Sequence, residues 1–197
     1  MKRFALIVMV SAALASAAGF QVQGNMSEAW DKSSLRVRTG EAMAKLWFAL
    51  PAHSGITVVV KPDTGAAVTT ILNMSASVDL RVPAEEYAIT ITRDSGDGQW
   101  TCRDVAGSPV LLGFGSSVDE KHHARLTYVA DDDKETWKFT WPKEATFLVQ
   151  LFGASGKVVE EQDLSDSDEF ELAGGGSFTL EVAPTEGSGE FSAKKSE

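Results

Sequence analysis

The sequence predicts an all-β chain: two tandem antiparallel β-sandwich domains related by internal duplication, after an N-terminal signal peptide. Three observations predict it. Apolar residues recur with a period of two in short runs, turn residues separate the runs, and the pattern repeats once at an offset of 91 residues.

The N terminus sets the address. Lys2 and Arg3 precede an apolar stretch from Phe4 to Leu14, and Ala15-Ser16-Ala17 gives the small-residue pattern that signal peptidase cuts. The stretch is shorter than the roughly 20 residues a spanning helix needs. Residues 1–17 are therefore expected to be a bacterial signal peptide. The mature chain is then free in a periplasm or outside the cell, with no membrane insertion after cleavage. Loss of Lys2 and Arg3 takes the formal charge from −10 to −12. So acidic a chain repels nucleic acid and anionic lipid, which argues against nucleic-acid partners. Cys102 is the only cysteine, so no intrachain disulfide forms and packing must supply the stability.

Residues 18–32 form an N-terminal segment, with a short helical turn expected near Ser27 to Lys32. The first sandwich is expected over 33–103. Its alternating runs are Leu46, Phe48 and Leu50, then Ile56, Val58 and Val60, then Val78, Leu80 and Val82, then Tyr87, Ile89 and Ile91. Residues 104–123 are rich in Gly and Ser but include Val110-Leu111-Leu112-Gly113-Phe114, so they read as a linker or an extra strand. The second sandwich is expected over 124–194, with a tail at 195–197. It repeats the pattern in Trp137, Phe139 and Trp141, in Phe147, Val149 and Leu151, in Phe170 and Leu172, and in Phe178, Leu180 and Val182. At offset 91, Leu35 falls on Leu126, Phe48 on Phe139, Pro51 on Pro142, Val58 on Val149, Gly65 on Gly156 and Trp100 on Phe191. The matches lie at turn glycines and core-facing positions, which is where a duplicated sandwich keeps them. One-faced apolar strands at this spacing argue for two packed antiparallel layers.

Part of the second copy resembles a known family. Thr136-Trp137-Lys138-Phe139, then Leu151 to Val159, then Gly176-Ser177-Phe178-Thr179-Leu180-Glu181-Val182 with Gly187-Ser188-Gly189-Glu190-Phe191 are similar to the bacterial pre-peptidase C-terminal domain. In the first copy Tyr87 to Ile91 and Gly96 to Thr101 are similar to it as well. The sequence departs from the family pattern in having no Asp ahead of Val149. The resemblance implies a β-sandwich accessory role, in binding or secretion, and brings no catalytic residue with it.

The residues themselves argue against catalysis. A Ser or Cys nucleophile needs a base, usually His, and only His53, His122 and His123 are present. Cys102 takes the inward position of Ala193 in the other copy, so it reads as a small core residue. No nucleophile elbow, metalloprotease helix or phosphate loop occurs. For metals, Asp131, Asp132 and Asp133, and Asp163, Asp166, Asp168 and Glu169, are the oxygen-bearing clusters, and calcium is the one ion they suit. Their spacing is not that of an EF-hand, and solvated acidic turns explain them better.

One residue breaks phase. Leu46 and Phe48 face inward, so alternation turns Trp47 to the opposite face, where the other copy has Lys138. Trp47 is either a recognition residue or a contact covered by the Leu111–Phe114 segment or the second domain. The sequence thus points to a non-catalytic exported binding or accessory protein whose partner is an envelope or extracellular protein or a polysaccharide. The alternatives are a structural or chaperone-like envelope component without a dedicated ligand, and a calcium- or glycan-binding module.

Overall fold

A computed structural model describes residues 19–27, 32–40, 43–80, 86–119, 123–130, 134–141, 146–164, 169–173 and 176–196. Sixteen strands run through them. The first half holds β1 (Phe20–Met26), β2 (Lys32–Arg38), β3 (Ala44–Ala49), β4 (Gly55–Pro62), β5 (Val68–Leu72), β6 (Ala76–Leu80), β7 (Glu86–Ser95) and β8 (Gly98–Ala106). The second holds β9 (Val110–Val118), β10 (Ala124–Ala130), β11 (Lys134–Thr140), β12 (Thr146–Phe152), β13 (Val158–Leu164), β14 (Glu169–Ala173), β15 (Gly176–Glu186) and β16 (Gly189–Lys195).

The strands form two antiparallel eight-stranded sheets, a β-sandwich. The first sheet has the order β13-β12-β15-β10-β1-β8-β3-β6 and the second β14-β11-β16-β9-β2-β7-β4-β5. Taken alone, the first half contributes β1-β8-β3-β6 to one layer and β2-β7-β4-β5 to the other. That order is an eight-stranded jelly roll, two interleaved Greek keys. The second half repeats it eight strands later, but every strand lies in the opposite sheet from its equivalent. The duplication is thus a pseudo-twofold that exchanges the two layers. The halves are joined edge to edge, because β1 pairs with β10 (Phe20 with Tyr128, Val22 with Leu126) and β2 with β9 (Leu35 with Phe114). Each junction closes two edges that would otherwise present unpaired backbone.

The strand limits differ from the sequence expectation at two places. Residues 20–26 are a central strand rather than a segment outside the first sandwich, and 110–118, the expected linker or extra strand, are the first strand of the second jelly roll. Small residues hide both. Gly24 interrupts the alternation of β1, and Gly113, Gly115, Ser116 and Ser117 leave β9 with few large side chains to count. The expected turn near 27–32 and the expected leader at 1–17 lie mostly outside the described residues.

The inward residues make one continuous core. Trp100, Trp137, Phe48, Phe139, Phe147 and Phe191 are fully buried within it. Its second half is the more aromatic: Phe114 meets Phe191 edge-on at 5.4 Å and Trp137 at 6.0 Å between ring centroids. Such pairs each add about 0.5–1.5 kcal/mol beyond the area they bury.

Cys102 is buried in β8 between Val22 of β1 and Phe48 of β3. Burial, with Asp104 adding to it, pushes the thiol pKa well up, so no reactive thiolate forms at neutral pH. We expect a bulky thiol reagent to label the folded protein slowly. Cys102→Ala should cost about 1 kcal/mol by thermal unfolding, because the equivalent Ala193 already fills the same place.

Candidate binding face

Strand alternation sends a second set of side chains outward from each sheet, and on the first sheet they line up. Trp47 in β3 lies opposite Arg103 in β8, Arg103 opposite Gln21 in β1, and Gln21 opposite Thr127 in β10. Thr127 lies opposite Thr179 in β15, and Thr179 opposite Phe152 in β12. These six residues form one row across six strands and through the junction between the halves. At about 4.8 Å per strand step it spans roughly 24 Å. All six are half-buried. An aromatic ring stands at each end, with an amide, two hydroxyls and a guanidinium between.

The row is ordered by its neighbours. The Thr127 and Thr179 hydroxyls bond to each other at 2.9 Å. The Arg125 guanidinium sits over the Phe152 ring, 5.9 Å from its centroid. The parallel row one pleat away carries Ala49, Thr101, Gln23, Arg125, Glu181 and Gln150. Glu181 is held by His123 Nδ1 at 3.0 Å, and the Gln150 amide donates to Glu161 at 2.6 Å. By contrast, the side chains of Arg103, Gln21 and Gln23 find no polar partner among the described residues. They are the donors and acceptors the face leaves for something else.

Trp47 therefore lies where the sequence placed it, out of the core, and the segment proposed to cover it does not. Leu111 to Phe114 belong to β9 in the other sheet. The sequence reasoning missed the rest of the row. Phe152 carries the same signal as Trp47, since it follows Phe147, Val149 and Leu151 out of phase. Gln21, Arg103, Thr127 and Thr179 have no local signal, because only long-range pairing brings them together.

The acidic clusters gain no support as a metal centre. Asp131, Asp132, Asp133, Asp166 and Asp168 lie outside the described residues. Asp163 is exposed on β13, and Glu169 pairs with Lys138 across the β11–β14 ladder. Among the described residues no three metal-ligating side chains converge. His53 stands in the exposed β3–β4 turn at φ 60°, and His123 is committed to Glu181.

No family model matches the chain. No curated protein matches it either. Among solved structures, Bacillus subtilis oxalate decarboxylase at pH 4.6 aligns at 6% identity over 90% of this chain and 68% of that one, with a TM-score of 0.30. Variants of the same enzyme align at the same identity and TM-score. At that TM-score the likeness carries no inference about this chain.

Proposed function

We propose that this protein is a non-catalytic, exported binding module, and that a neutral, extended polysaccharide lies along the row from Trp47 to Phe152. The observation that carries the reading is the row itself: continuous and outward-facing across six strands, roughly 24 Å. Aromatic rings have an apolar face that stacks on the C–H face of a sugar. The unpaired Gln21, Gln23 and Arg103 side chains offer the amide and guanidinium groups that hydroxyls need. A pyranose polymer presents both surfaces in alternation along its length. The resemblance to accessory sandwiches of secreted enzymes and the signal-like N terminus fit this role.

The test is titration of the mature protein with cello- and chito-oligosaccharides, followed by calorimetry. Trp47→Ala is expected to weaken binding by about 2 kcal/mol, roughly thirtyfold, and to change stability by less than about 1 kcal/mol. Loss of several kcal/mol of stability with binding untouched would make Trp47 a packing residue and end the proposal.

A further inference from the structure

We infer that the outward face of the second sheet is a separate binding site, for a linear acidic polysaccharide. The pseudo-twofold leads to it. Carrying the Trp47–Phe152 row onto the other sheet gives Lys138, Lys194, Gly113, Arg36, Ala88 and Lys61, again opposite one another across six strands, with Gly113 in register where the offset of 91 falls on Leu112 at the β9 bulge. The same structural row is aromatic and amide on one face and cationic on the other. Lys138 and Lys194 stand directly opposite each other, an arrangement that destabilises a sheet when nothing compensates it.

The charges differ in availability. Arg36 is paired with Glu86 at 2.7 Å and with Asp63 at 3.7 Å, and Arg38 shares Glu86. These two arginines hold the Glu86 carboxyl below its usual range. Lys138 also faces Glu169 in register, at the sheet edge. Lys61, Lys138 and Lys194 are exposed, and none has a carboxylate within ion-pair distance among the described residues. Between the lysines, Gly113 has no side chain and is itself buried, with the Lys194 stem 3.6 Å from where a Cβ would stand. Ala88 adds one methyl. Beside this row runs a second one of small residues, Thr140, Ser192, Gly115, Ser34 and Thr90.

A chain with net charge −10 that sets three unpaired lysines along one row is complementary to an anion there and to none in general. The row crosses six strands, which suits an extended chain. A polyuronate bears one charge per sugar and many hydroxyls, matching sparse lysines beside a hydroxyl row. Duplex DNA carries one charge per roughly 1.7 Å, and the acidic body of the protein repels so dense an anion.

The experiment measures binding of the mature protein at low salt to alginate and polygalacturonate, with single-stranded DNA and phosphatidylglycerol vesicles as competing anions. Wild type is expected to bind the polyuronates and to prefer them to both. Lys194→Glu and, independently, Lys61→Glu should each weaken binding roughly tenfold. Lys157→Glu, the same charge change in the exposed β12–β13 turn, should alter it little, and Trp47→Ala should spare it. The inference is overturned if wild type binds neither polyuronate, if it prefers DNA or vesicles, or if Lys157→Glu weakens binding as much as Lys194→Glu.

Discussion

Replacing Gly24 by serine is expected to destabilise the fold by about 1–3 kcal/mol, and adding Trp100→Phe is expected to recover most of that loss. Gly24 lies opposite Trp100 across the β1–β8 pair, and the buried indole crosses directly over it. A Cβ at Gly24 would come within 2.5 Å of the ring atoms Cε2 and Cζ2. No side chain sits at that distance, and a ring packed on all sides cannot swing away. The second half carries the natural experiment. Where the first half has Trp100 facing Gly24, the second has the smaller Phe191 facing Ser116. Large with small and medium with medium fill the same space. Thermal unfolding of the two single variants and the double variant measures the coupling. Strict additivity would show that the serine acts through something other than the indole.

Breaking the buried ion pair of the second half has the larger expected effect. Glu135 is buried with its carboxylate held by Lys195 on one oxygen and by the Tyr128 hydroxyl at 2.6 Å on the other. Trp137 Nε1 donates to the same hydroxyl at 3.1 Å. Glu135→Ala strips the acceptor from an ammonium and a phenol at once, and should cost about 3–5 kcal/mol by denaturant unfolding. Replacing Glu135 and Lys195 together by methionine should cost far less, because an apolar pair leaves no charge unpaired. The first half supports this. Its equivalents of Glu135, Tyr128 and Trp137 are Ala44, Val37 and Leu46, all buried and apolar. The equivalent of Lys195 is Asp104, which instead accepts the backbone N–H groups of Gly19 and Phe20 at 2.9 and 3.0 Å. One position near the end of the last strand does two jobs: it closes an ion pair in one copy and ties down β1 in the other. A double variant as unstable as Glu135→Ala alone would contradict this account.

These pairs show how far the sequence could be read. The inward stripes were legible because burial on one face leaves a period of two, and the repeat was legible because Pro51, Gly65 and their equivalents fix turns. The exchange of sheets was not. Offset 91 says which residues correspond and is silent on which layer each strand enters. The central strands at the junction were faint for a local reason: β1 and β9 meet large partners and so carry glycines and serines, which erase the alternation that marks a strand. Trp47 was visible as a bulky residue out of phase. The row it belongs to was not, because Arg103, Gln21, Thr127 and Thr179 come from four distant strands and each is unremarkable in its own.

The central claim is that the aromatic–amide row is where a ligand lies, and residue-resolved NMR of the labelled protein tests it most directly. On titration with the cello- or chito-oligosaccharide that binds, the account predicts shifts in the Trp47 indole, the Arg103 guanidinium and the Gln21 and Gln23 side-chain amides. The buried indoles of Trp100 and Trp137 should stay in place. Binding that shifts the turns or the second sheet and leaves the Trp47 indole and the Gln21 amide unmoved would contradict it.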